Sequence, residues 1–267
     1  MRRVLSCLFV FLFLAYPCHA LTAHFIDVGQ GDATLFRFDD GKHMLVDVGP
    51  TEAGKRLVGY LRSVGVVSID IVVLTHPHED HIGGFNELIR SFRIGRVWDS
   101  GYEQGSRLQQ SIMRTILKEG IRFGTPKAGF KETIGQAEVD ILAPSRSWRG
   151  VGANNNSIIL RVTYGRVSFL MMADAEKAER ENHALPKCDI LKLAHHGSRT
   201  GADVAHLAAV APKLAVATFG NGNRYKHPHR EVLDALRAFG VVLYATASGD
   251  VVIDTNGVSF DVKQCGP

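Results

Sequence analysis

Four metal-ligand side chains fall within six residues at His76-Pro77-His78-Glu79-Asp80-His81, and no other stretch restricts the possible folds so tightly. The apolar run Ile71-Val72-Val73-Leu74 precedes it and Gly83-Gly84 follows it. A β-branched run ending in Thr75 predicts a buried strand. The histidines then fall at its carboxyl end, where α/β sheets build their sites. Pro77 stiffens the backbone so that His76 and His78 aim at one point. A helix starting near Asp80 turns Asp80 and His81 toward a second, so two cations a few Å apart could be held. Gly83 and Gly84 remove side chains where the turn packs closely. A polar loop with fortuitous histidines is the competing reading, and the density of the pattern and its downstream partners weigh against it.

Further strand ends supply the rest. Met171-Met172-Ala173-Asp174 closes an apolar run with a carboxylate suited to bridging two metals, although a helix N-cap would also use an aspartate there. Leu191-Lys192-Leu193-Ala194-His195-His196-Gly197-Ser198 offers two imidazoles: His195 is expected to complete the second metal, and His196 to face substrate or support the ligands. Asp47, after Leu45-Val46, suits an acid that orients a ligand histidine. Asp32 is read as facing the site, and Asp27 as structural. Asn223-Arg224-Tyr225-Lys226-His227-Pro228-His229 gathers proton donors and positive charge suited to a phosphate, with a solvated loop before a helix as the alternative.

The rest of the chain reads as strands near 23–28, 33–38, 43–48, 138–142, 157–164, 167–172, 190–194 and 214–218, with three closing strands near 241–246, 250–254 and 258–262. Helices are expected at 54–64, 85–92, 106–119, 175–183, 202–210 and 230–239. Strands outnumber helices, many pair as hairpins and helices recur between them, which implies an α/β (α+β) fold of two mixed sheets packed together with helices outside. Residues 144–156, rich in Ser, Gly and Asn, read as a long rim loop. Met1-Arg2-Arg3, an apolar stretch to Ala15 and a small-residue end at Ala20 have the parts of a secretory signal peptide. The domain then covers residues 21–267, exported to a periplasmic or extracellular space with no stable membrane anchor. An uncleaved anchor, lipidation at Cys18 and a twin-arginine route are the alternatives. Without the leader's two arginines, the formal charge falls from +4 to +2, too mild to argue nucleic-acid binding from charge. Cys188 and Cys265 remain, either as one disulfide or as two free thiols.

Strand-end His-x-His-x-Asp-His with a later aspartate and histidine resembles the metallo-β-lactamase superfamily. More narrowly, residues 25–32, 74–84, 154–160, 191–198 and 223–229 are similar to the hydrolase domain of ComEC-type DNA-uptake membrane proteins. The resemblance implies an αββα sandwich in which His76 and His78 hold one metal, Asp80, His81 and His195 the other, and Asp174 bridges. Asp80, His196, His227 and His229 are then the expected catalytic groups. The superfamily usually supplies one more histidine from between the two halves, whereas no histidine lies between His81 and His183. Asn154, Asn155, Asn156 and Ser157 occupy that stretch, with Asn156 and Ser157 expected near the ligands or substrate, alongside Asp32, Asp47, Arg224, Tyr225 and Lys226. One or two divalent ions, Zn2+ or Mn2+, are implied, since a cation lowers the pKa of its water from about 15.7 to near 7. The function expected is an exported phosphodiesterase or nuclease acting on DNA. A hydrolase of small amides, lactones or thioesters is the alternative, as is a binding protein that keeps the fold without turnover.

Overall fold

A computed structural model of the chain describes residues 21–145 and 152–266. The expected leader, residues 1–20, and the middle of the 144–156 loop lie outside the described residues. The first half builds β1 (Leu21–Phe25), β2 (Thr34–Arg37), β3 (His43–Val46), α1 (Gly54–Ser63), β4 (Ser68–Leu74), α2 (Glu79–Ile82), α3 (Phe85–Ser91), β5 (Arg93–Asp99), α4 (Arg107–Lys118) and β6 (Arg122–Gly124). The second half builds β7 (Lys131–Ile134), β8 (Ala137–Ala143), β9 (Ile159–Tyr164), β10 (Val167–Met171), α5 (Lys177–Glu181), β11 (Ile190–Lys192), α6 (Val204–Val210), β12 (Leu214–Ala217), α7 (Arg230–Ala238), β13 (Val242–Ala245), β14 (Val251–Thr255) and β15 (Phe260–Gln264).

Among the described residues the strands form two sheets, ordered β15-β14-β1-β2-β3-β4-β5-β6 and β13-β12-β11-β10-β9-β8-β7. Each is half antiparallel and half parallel: β3 to β6 run parallel in the first, and β10 to β13 in the second. Parallel neighbours deliver their carboxyl ends to one rim, so the loops after β3, β4, β10, β11 and β12 all open there.

Three apolar layers hold the sandwich. Along β4, Ile71 and Val73 enter the layer between the sheets with Phe36, Leu160 and Phe169, while Val72 and Leu74 enter the layer beneath α1, α3 and α4 with Leu57, Leu88 and Ile112. Burial on both faces is why this strand reads as an unbroken apolar run. Phe36 and Phe169 meet edge to face at 5.5 Å across the sheets. On the far side, Leu170, Leu191 and Ala215 pack with Leu207 of α6 and Leu236 of α7. The Ser106 hydroxyl accepts from Gln109 N to start α4, and the Asp203 carboxylate accepts from His206 N to start α6.

The expected architecture is met, with three local differences. The helix expected at 175–183 is shortened to α5, because the segment before it is used by the site: Asn155 Oδ1 accepts from Glu176 N at 3.2 Å. β6 and β7 are largely exposed edge strands, and without a buried face their sequences carry little alternation. The closing strands separate, β13 extending the second sheet and β14 and β15 the first. Cys188 is buried and Cys265 exposed, and both are free thiols. No helix of the described residues is long and apolar enough to cross a membrane.

Candidate metal centre

Asp47 organises the first half of the centre. Its carboxylate accepts from Thr75 N at 2.8 Å, from the Thr75 hydroxyl at 2.7 Å, and from His81 Nδ1 at 2.8 Å. The Thr75 hydroxyl, having donated to Asp47, accepts from His76 Nδ1 at 3.2 Å. One buried carboxylate thereby fixes Nδ1 of both His81 and His76 as hydrogen-bond donors and turns each Nε2 inward. Gly84 makes the approach possible, since a Cβ there would lie 2.3 Å from the carbonyl oxygen of Val48.

Among the described residues three groups of ligand-type atoms have their atoms within 4.8 Å of one another: the supporting trio Asp32, Asp47 and His81, and two at the centre, His76, His78 and Asp174, and Asp80, His81, Asp174 and His196. Asp174 belongs to both. Among the described residues, His81 Nε2 and Asp174 Oδ1 are buried without a hydrogen-bond partner although only 3.3 Å apart. A divalent cation between them would satisfy both, so the residues present fit a metal.

The backbone is strained where these groups leave their strands. Asp47, Ala173, His195 and His196 take φ of 59°, 47°, 49° and 55°, a left-handed conformation costing about 1–3 kcal/mol per non-glycine residue. The two successive left-handed histidines decide which ring turns inward. His196 is buried, with Nδ1 donating to the Thr218 carbonyl at 2.8 Å and Nε2 3.2 Å from Asp80 Oδ2. His195, expected to complete the second group, sits instead on the rim: 27% exposed, 3.2 Å from Glu176 Oε1, with Nε2 3.9 Å from Asp174.

Charge in the centre is balanced by protons. Burial alone would raise the carboxyl of Asp174, but His81 and His196 outweigh it and hold it well below the usual carboxylate range. Asp80 is likewise held at about 2, chiefly by His81 and the His196 hydrogen bond against the effect of burial. The counter-charges sit on His81, lifted well above the ordinary imidazole value by Asp174 and Asp47 despite burial, and on His196, lifted to about 10 by Asp174 and Asp32. Burial drives His76 the other way, to a neutral imidazole. A bound cation would displace the protons on His81 and His196.

Lys192, buried in β11, has no role in the sequence reading. Its ammonium ion-pairs with Asp32 and donates to the Ala173 carbonyl at 3.2 Å. Asp32 also accepts from the Thr218 hydroxyl and lies 3.2 Å from His196 Nδ1. A lysine inside the apolar run Leu191-Lys192-Leu193 is the signal that could have pointed to it, because a buried ammonium requires a carboxylate. Asp27 is structural, accepting from Gly29 N and pairing with Arg56.

Of the residues expected near substrate, Arg224 and Tyr225 line the mouth. A cavity of about 610 Å³ has Asp80 and Glu79 on one side and Asn223, Arg224 and Tyr225 on another. Tyr225 and His227 stack at 5.6 Å, and His227 stacks on His196 at 6.1 Å, so a ladder of rings runs from solvent to the centre. His227 is held neutral by burial, its pKa lowered to about 4, and its buried Nδ1 has no partner among the described residues. His229 Nδ1 accepts from Arg199 N at 3.0 Å. Lys226 is exposed. Asn156 and Ser157 are buried, and the neighbouring Ile158 N donates to the Thr75 carbonyl, placing them beside the first histidine.

The profile of the metallo-β-lactamase superfamily matches residues 26–220. ComE operon protein 3 of Bacillus subtilis (strain 168) is 27% identical over 91% of this chain and 34% of its own length. Competence protein ComA of Neisseria gonorrhoeae is 30% identical over 82% of this chain and 30% of its own length. The chain thus spans about a third of the length of the curated relatives it matches. Among solved structures, the metallo-β-lactamase fold protein YhfI from Bacillus subtilis superposes with a TM-score of 0.59 at 16% identity, covering 88% of this chain and 100% of that one. With that profile covering most of its length and the ligand-type groups at the shared rim, this chain belongs to the metallo-β-lactamase superfamily.

Proposed function

We propose that this chain is a metal-dependent phosphodiesterase that cuts DNA, exported by its first 20 residues and folded as one domain over residues 21–267. The observation that carries the reading is Asp174 standing between two imidazole groups, with Arg224 and Tyr225 across the cavity from Asp80. His76, His78 and Asp174 would hold one ion, and Asp80, His81, Asp174 and His196 the other. Zn2+ or Mn2+ bound there would neutralise charge on phosphoryl oxygens and make water nucleophilic at neutral pH.

The chain's own groups do the rest. Arg224 brings positive charge to the phosphate, with Lys226 adding to it from the exposed surface. Tyr225 offers an aromatic face on which a base can stack. His227, held neutral, hydrogen-bonds a substrate oxygen or a water at the mouth, and His229 and His195 flank it on the substrate side. Asp47 and Thr75 keep the ligand imidazoles in one tautomer. The competence proteins among the relatives support a nucleic-acid substrate.

The test is cleavage of labelled single-stranded DNA after chelation and return of zinc or manganese, beside Asp80→Ala. Metal-dependent cutting lost in the variant supports the reading. Full metal occupancy without cleavage of DNA, RNA or a bis-aryl phosphodiester refutes it, and turnover of a lactone or β-lactam would then favour a small-molecule hydrolase.

A further inference from the structure

A second cavity, of about 600 Å³, opens at the carboxyl ends of β5 and β6. β4, β5 and β6 are parallel, with Leu74 paired to Asp99 and Trp98 to Gly124. At the ordinary spacing of neighbouring strands, the ends of β5 and β6 lie about 5 and 10 Å along the sheet from the strand that delivers His76. The cavity therefore shares the rim of the metal centre, yet none of its lining residues belongs to that centre.

Its lining has two characters. Tyr102, Met113 and Phe123 are apolar walls, with Phe123 41% exposed. Asp99, buried, and Lys127 supply a carboxylate and an ammonium to the same space, the ammonium donating to the Ser100 carbonyl at 2.6 Å. The wall is built rather than incidental. Gln109, itself buried, accepts from the N–H groups of Gln104 and Gly105 at 3.0 and 3.1 Å and donates to the Tyr102 carbonyl at 2.7 Å, so both ends of its amide pin the loop. A preformed wall spares a ligand the entropy of ordering it.

A bare phosphate would make no use of Phe123 and Tyr102, and an alkyl chain none of Asp99 and Lys127. A nucleobase uses both, its flat face against the aromatic side chains and its donor and acceptor edge toward the charged pair. We propose that this cavity holds a base of the single-stranded substrate one or two nucleotides from the scissile phosphate, with the exposed Arg114 toward the adjoining backbone. The proposal rests on the nucleic-acid reading of the metal centre.

The test compares wild type, Phe123→Ala and Arg114→Ala on a labelled oligonucleotide, on the same oligonucleotide with one abasic position moved along it, and on bis(4-nitrophenyl) phosphate. Phe123→Ala is expected to raise KM for the oligonucleotide about tenfold, the scale of one base–aromatic stack, and to weaken its binding to metal-free protein, read by anisotropy, by a similar factor. Arg114→Ala is expected to shift both readouts in the same direction. Turnover of the small diester should be unchanged in both variants. One abasic position near the cut should slow the wild type and have no further effect on Phe123→Ala. Oligonucleotide cleavage that is unchanged in the variants, or lost in parallel with the small diester, overturns the subsite and leaves the nuclease reading standing. Wild type that turns over the small diester but no oligonucleotide overturns both.

Discussion

Replacing Asp47 by asparagine tests the centre at the residue that sets its chemistry. Three hydrogen bonds of 2.7–2.8 Å converge on this carboxylate, one of them from His81 Nδ1. An asparagine can still accept from Thr75 N, but its amide then presents an N–H to His81. The imidazole must move its remaining proton to Nε2, which is the atom facing Asp174. Loss of such a supporting group costs roughly ten- to a hundredfold in metal affinity, equivalent to about 1.4–2.7 kcal/mol. Competition for zinc against a chromophoric chelator at neutral pH reads this directly. Urea unfolding of the metal-free variant separates it from the lost charge-assisted bond, expected at about 1.5–3 kcal/mol. Thr75→Val, which removes the relay to His76 and one of the three bonds on Asp47 but leaves the His81 bond in place, should weaken the ion on His76 more than the other. Zinc bound by Asp47→Asn within twofold of wild type would refute the tautomer argument.

Lys192→Met should destabilise the fold by about 3–5 kcal/mol in urea, because Asp32 is left buried without its ammonium. His206, buried with neither ring nitrogen paired among the described residues, has its pKa lowered to about 4 chiefly by burial. The unfolded chain takes up a proton below its ordinary value of 6.5 while the folded chain does not, so this residue's contribution is intact above pH 6.5 and falls by about 2 kcal/mol between pH 7 and pH 5. His206→Leu should be no less stable at pH 7 and should flatten that slope in urea midpoints. In a chain starting at residue 21, one thiol should react rapidly with a disulfide reagent, since Cys265 is exposed while burial raises the Cys188 thiol to about 12; two fast thiols would count against the packing around β11.

The location of the centre is legible in the sequence wherever strand direction is. Ile71 to Leu74 and Val167 to Met171 are buried on both faces and apolar but for Ser168, so whatever follows them has to emerge at a sheet end, and the positions of His76, His78, Asp80, His81 and Asp174 follow from that. The order of His195 and His196 is not legible, because a pair of left-handed residues reverses which ring points inward and nothing local forces histidine into that conformation. Lys192 is only half legible: its apolar neighbours mark it as unusual, but not what it pairs with. In an isolated strand it reads as a solvent-facing alternate, and only a carboxylate far away in the chain reveals its partner. The two-layer architecture is legible from the mix of hairpins and helices, whereas the division of the closing strands between sheets depends on long-range pairing that no short window contains.

The position of β1 bears on how such a chain can be made. Its neighbours are β2 and β14, and the Thr22 hydroxyl donates to an aspartate 232 residues further on. Synthesis from the amino end leaves β1 with one open edge until residue 255 has emerged, so the first sheet closes late and through a contact of very high sequence separation. A chain ending before β14 would keep β2 through β6 and the histidine loop, yet leave the otherwise buried strand Leu21–Phe25 with an unpaired edge, a template for aggregation rather than a smaller enzyme.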